Sequence, residues 1–146
     1  MKNIIYTRHD GGVSVVHLVP SEMVSGETEA AFIERIRAKV VPLDATNVVV
    51  AEASAIPTDF EFRDAWVAPG GVISVDLDKA KALQASRINA AKLVKARELV
   101  DMEMMGENVA TDKAALQAIN AATLVAGATS IDELKAVWPS VGLARP

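Results

Sequence analysis

Phe62-Arg63-Asp64-Ala65-Trp66, followed by Gly70-Gly71 and a helix-prone run from about Asp76 to Met105, divides this 146-residue chain in two. Before it lie short β-prone runs; after it come Ala-rich segments at helical spacing. Only 4% of residues are aromatic although 51% are apolar, so this one stretch holds an unusual share of the rings. The rest of any core must come from Ala, Val, Ile and Leu. At roughly 25 cal/mol per Å² of apolar surface removed from water, an Ala-lined helix gains little alone. Such helices are expected to need a neighbour.

In the front half, residues 3–9 and 13–19 are β-prone and flank Asp10-Gly11-Gly12, a hairpin signal because glycine supplies the positive φ of tight turns. With Gly11-Gly12 as a two-residue loop, Tyr6 falls opposite His17, Arg8 opposite Val15 and His9 opposite Ser14. Ile5, Thr7, Val16 and Leu18 then share one apolar face. Pro20 and Ser21 end the second strand. Residues 27–39 read as a helix capped by Ser25, with Glu27 and Glu29 where the dipole favours acids. Ala30, Ile33 and Ile36 or Arg37 form its stripe, Phe32 adds a contact, and Pro42 ends it. Asn47-Val48-Val49-Val50-Ala51 is an apolar run of strand length, consistent with a buried third strand. Residues 1–55 thus form a small ββαβ module, and residues 56–75 a connector carrying the aromatic stretch.

Residues 76–146 read as a helical hairpin module with a short terminal helix, which makes the chain α+β. Asp76 caps a long helix that Gly106 stops. A second helix spans about Thr111 to Ala126 and ends at Gly127. Ser130-Ile131-Asp132-Glu133 is a capping box opening the last helix, which closes at Trp138-Pro139. On the long helix Leu83, Ile88, Leu93, Val94, Leu99, Val100 and Met104 spread around the axis. A helix apolar on several faces is enclosed on several faces, so self-association or a partner is expected.

No catalytic constellation, metal set or cofactor motif assembles from the sequence. Without cysteine there is no disulfide, thiolate nucleophile or zinc–thiolate site. His9 and His17 fall on opposite faces of the expected hairpin and share no metal. Asp59, Glu61 and Asp64 near Arg63 read as a solvated acidic turn, since acid–base work needs a pocket that splits paired pKa values. Gly11-Gly12 and Gly70-Gly71 lack the Lys-Ser/Thr and the following helix of a phosphate loop. A net charge of −4 with no basic tract argues against nucleic acid. The start of the chain reads as neither signal peptide nor membrane span. The expectation is a non-enzyme made in a cytoplasm and acting by protein contact.

Six residues stand out as interaction or packing anchors: Phe62, Arg63, Trp66, Met104, Met105 and Trp138. Met102, Met104 and Met105 read first as core filling against the second helix, with a Met-rich binding patch as the alternative. Trp66 reads as a packing anchor, while Trp138 suits packing and an interface hot spot equally.

Three segments together resemble a group of short bacteriophage proteins encoded among virion and tail genes. These are Ile4-Ile5-Tyr6-Thr7-Arg8 running through Asp10-Gly11-Gly12-Val13-Ser14-Val15-Val16; Ile56-Pro57-Thr58-Asp59 leading into Phe62-Arg63-Asp64-Ala65-Trp66 and Ile73 to Lys81; and Asp132-Glu133-Leu134-Lys135-Ala136-Val137-Trp138-Pro139. The resemblance implies a virion-associated structural protein of head or tail, located in the virion and partnered by itself or other phage structural proteins. A tail or tail-fibre assembly chaperone is the alternative, and a phage protein binding a host factor the second. No functional residue carries over.

Overall fold

Ile4 and Ile5 are adjacent in sequence and both fully buried. Neighbouring residues of a strand point to opposite faces, so this strand is covered on both sides. In the computed structural model, which describes residues 2–145, it is β1 (Lys2–Thr7), the middle strand of an antiparallel sheet. β2 (Val13–His17) lies on one side of it and β3 (Thr46–Glu52) on the other. One face packs on α1 (Glu29–Val40) through Ile4, Leu18, Phe32, Ile33 and Ile36. The opposite face packs on residues 56–75, through Ile5 and Val13 against Trp66, Ala68 and Ile73. That segment contributes a two-stranded ribbon, β4 (Trp66–Val67) with β5 (Ser74–Val75).

The hairpin turn differs from expectation. Gly11 sits at φ 80°; its N–H donates to the Arg8 carbonyl (2.9 Å), and the Arg8 N–H donates to the Gly12 carbonyl (2.8 Å). This is a three-residue loop closed by a glycine bulge, not a two-residue Gly11-Gly12 turn. Tyr6 therefore faces Ser14 rather than His17, and Thr7 faces Val13. A three-residue slip exchanges the faces: Val16 joins Ile4 on the α1 side, and Ile5 sits opposite Val15 on the other. β3 is an edge strand, half-exposed rather than buried. It carries a bulge where the pairing shifts between Ile5 and Thr7, with Asn47 in the left-handed region at φ 51°, a conformation Asn tolerates.

Thr28, not Ser25, caps α1, its hydroxyl accepting the Ala31 N–H at 3.3 Å. Ala30 of the expected stripe is exposed, whereas Phe32, Ile33 and Ile36 are buried as expected.

The first unit ends at Asp76 and the second begins at Leu77. The second is built on α2 (Leu77–Met104), whose buried residues Ala80, Gln84, Ile88 and Leu99 fall on one side of the helix. Its end follows Schellman geometry: Gly106 at φ 89° donates to the Glu103 carbonyl (2.9 Å), and the Glu107 N–H to that of Met102 (3.0 Å). The single helix expected over 111–126 is two, α3 (Ala110–Ala118) and α4 (Ala121–Ala126). Asn120 separates them, extended at φ −108° and ψ 103°, with its side chain accepting the Thr123 N–H at 3.1 Å. The last helix, α5 (Ile131–Ala136), has Ser130 accepting the Glu133 N–H at 3.1 Å. The Glu133 carboxylate in turn accepts from the N–H (2.7 Å) and hydroxyl (2.8 Å) of Thr129.

Three side chains of α2 reach the carboxyl ends of these short helices. Lys92 donates to the Ile119 carbonyl after α3 (2.5 Å), Lys81 to that of Ala126 ending α4 (3.1 Å), and buried Gln84 to that of Val137 after α5 (2.8 Å). Gln84→Leu keeps the volume and adds apolar surface, yet strands a carbonyl. It is expected to cost about 1–3 kcal/mol in urea unfolding.

Gly71 packs directly against Val49 of β3. At φ +83°, a Cβ on it would lie 2.3 Å from Val49 Cγ2, whereas a Cβ on Gly70 (φ +62°) would meet nothing within 4 Å. Gly70→Ala should lose about 1–2 kcal/mol, the left-handed penalty alone. Gly71→Ala should lose that plus an overpacking cost of about 1–3 kcal/mol, read as an earlier urea midpoint.

Candidate functional site

Phe62 and Trp66 are drawn inward by a single turn of 3₁₀ helix over Arg63–Ala65, which the Ala65 N–H closes by donating to the Phe62 carbonyl (2.9 Å). Phe62, Ala65 and Trp66 are buried, Trp66 to 1% exposure. Arg63 and Asp64 point outward. The Arg63 guanidinium lies 6.0 Å from the Trp66 ring centre, and exposed Phe60 covers the same ring at 5.5 Å with a 39° tilt. The Trp66 indole N–H has no hydrogen-bond partner among the described residues. Trp66 is thus a packing residue beneath the sheet, and of the aromatic stretch only Arg63 and Asp64 remain for contact. They line a polar groove of about 580 Å³ with Arg8 and Ser14. Arg8 is already held there by Asp10 (3.2 Å) and Ser14 (3.2 Å).

The two histidines have separate partners. His9 Nδ1 lies 3.9 Å from the Asp44 carboxylate, while His17 Nδ1 is 3.0 Å from the Asn3 side-chain oxygen. Asp59 accepts the Glu61 N–H at 3.0 Å and closes its turn. Among the described residues no group of three or more His, Cys, Asp and Glu is placed to hold a metal ion.

In the second unit the methionine reading changes. Met104 is 82% exposed and Met105 81%, so neither fills a core; only Met102 is half-buried. The Schellman turn at Gly106 explains this, because the chain leaves α2 before another element can cover the last side chains. Leu93 and Val100 of α2 are also exposed, at 56% and 47%, as is Val94. The apolar residues around α2 are therefore enclosed on one side only. Trp138 is half-buried; its indole N–H donates to the Leu143 carbonyl at 3.1 Å, and Arg145 sits over its ring at 5.8 Å. With Ile119, Leu124 and Val141 it lines a mainly apolar groove of about 410 Å³.

A second apolar recess, of about 340 Å³, lies between Ala90, Ala91 and Val94 of α2 and the segment Gly142–Arg145. The sequence offered no sign of it, since residues 142–145 carry no helical or strand period. Comparison with protein-family models, with curated proteins and with solved structures finds no match to this chain.

The shifted ionisations all belong to structural hydrogen bonds. Two guanidinium N–H groups of Arg35 (both 2.8 Å), then the Val24 N–H (3.0 Å), hold the Glu27 carboxyl down at about 2. The Arg35 guanidinium is raised in return. Asp10 is lowered chiefly by the Gly12 N–H and next by Arg8, and Glu133 by the Thr129 N–H and hydroxyl. A carboxyl held below its ordinary value near 4.5 stabilises the fold above that pH, and the contribution is lost as pH falls towards 2. Glu27→Gln should therefore lower the thermal midpoint at pH 7 and flatten its fall between pH 4.5 and 2, seen by circular dichroism; an unaltered acid limb would contradict the assignment.

Proposed function

We propose that this protein is a non-enzymatic structural component of a bacteriophage virion, in its head or tail, that works by holding other proteins. The observation carrying the contact role is the outward face of α2, where Leu93, Val94, Val100 and Met104 stand in solvent, with Met105 just beyond its end. Exposed apolar surface gathered on one element marks a protein contact more often than chance placement does. Flexible methionines at its end suit a surface that must adapt to its partner. The ionisable groups with displaced pKa values all serve turns, caps or a loop tether, and none supports acid–base chemistry. No helix among the described residues is long and apolar enough to cross a membrane. The phage setting rests on the resemblance of the FRDAW stretch and the terminal DELKAVWP segment.

Mass spectrometry of purified particles tests the reading. The chain is expected at a fixed copy number per particle, unchanged by a high-salt wash. Its presence in infected cells but absence from finished particles would overturn the virion role in favour of an assembly chaperone.

A further inference from the structure

Charge is segregated along α2. Residues 79–97 carry Lys79, Lys81, Arg87, Lys92, Lys95 and Arg97 and no acid, whereas residues 98–107 carry Glu98, Asp101, Glu103 and Glu107 and no base. Asp78 in the first turn suits the helix dipole, but the last turns carry acids and no base, where the dipole favours bases. Size is segregated too. Ala82, Ser86 and Ala90 are exposed small residues towards the amino end, and Leu93, Val100 and Met104 exposed large ones towards the carboxyl end. At 3.6 residues per turn these six fall within an arc of about 80°, opposite Ala80, Gln84, Ile88 and Leu99.

We propose that this face binds a second copy of the same chain, with the two α2 helices antiparallel about a two-fold axis at Leu93. The pairing rests on the contact role argued for α2 above and names its partner. Leu93 meets Leu93 at the centre. Val100 then stands over Ser86, and Met104 over Ala82, so each large side chain enters a gap left by a small one. Arg87 lies near Asp101 and Arg97 meets Asn89, so no like charges of the two helices are forced together at these positions. Each acidic helix end comes to rest beside the basic, dipole-positive half of the other copy. No other orientation uses both gradients: a parallel pair sets large on large, acid on acid and base on base. From residue 82 to residue 104 the strip is about 33 Å long. A single helix face of that length buries less than the roughly 800 Å² per partner of a standard interface. A micromolar dimer of the 15.5 kDa chain is therefore expected.

The chain has no cysteine, so introduced thiols report proximity in the full-length protein. With a short bis-maleimide, Leu93→Cys should form a covalent dimer by itself. Met104→Cys should not, because its two copies sit about 33 Å apart in the antiparallel pair. Met104→Cys mixed with Ala82→Cys should. Adding Val100→Asp to Leu93→Cys should weaken dimerisation roughly tenfold or more, as loss of a central interface anchor does, with an unchanged circular dichroism spectrum because Val100 is exposed. Cross-linking of Met104→Cys to itself, or sedimentation of the unaltered chain as a monomer up to millimolar concentration, would overturn the pairing. Neither result touches particle composition, so failure of the dimer and failure of the virion role are read separately.

Discussion

The second unit depends on hydrogen bonds from α2 to the ends of three helices too short to stand alone. A helix of six to nine residues leaves much of its backbone unpaired, since its last four carbonyls have no partner within it, and isolated helices below about 12–15 residues are marginal in water. Lys92, Lys81 and Gln84 meet that need at α3, α4 and α5 in turn. The two lysines also place positive charge where the dipoles are negative. The bonds run from side chain to backbone, so they hold the ends of the short helices while Ala121, Val125 and Leu134 complete the burial. One rigid rod thereby organises a region whose own propensities are weak. It also explains why only one side of that rod is used up.

The first unit answers to a different constraint. A three-stranded sheet with a doubly buried middle strand needs a cover on each face. A single helix supplies one, and residues 56–75 supply the other. Those residues do so without regular structure of any length, which is why the large rings are gathered there. Trp66 fills the space that a second helix would otherwise occupy, and the missing side chain of Gly71 lets the covering backbone come within van der Waals range of Val49. The aromatic stretch therefore serves the fold, leaving only Arg63 and Asp64 for anything outside.

Much of this was legible because the signals are local. Gly106, the Ser130–Glu133 spacing and the strand-length apolar runs each act within a few residues, and the α+β class follows from them. The errors share a cause as well. A glycine pair permits more than one loop length, and the choice of a bulge at Gly11 was made by which faces of β1 found covers, a tertiary fact. The break at Asn120 was hidden in continuous Ala periodicity, although Asn is among the favoured residues at a helix start. Their spacing near a helix end predicts burial of Met104 and Met105, but a Schellman turn sends the chain away from them. The recess beside residues 142–145 depends on a tail without a period.

The exposed face of α2 is harder to explain as accident than as use. Single exposed apolar residues are ordinary, but here they share an arc with small residues, on a helix whose last turns carry acids against its dipole. Local ion pairs offset part of that arrangement: Lys95 meets Glu98 at 3.0 Å, and Lys113 pairs with Glu103. Both are solvent-exposed, and such pairs contribute about 1 kcal/mol or less. They do not account for Glu98, Asp101 and Glu103 gathered at a negative helix end. A sequence selected only to fold this unit would gain by replacing the acids of the last turns with bases, and Leu93 and Val100 with polar helix formers. Retaining both features makes sense if the free-energy minimum that matters is that of an assembly, with the isolated unit one step short of it.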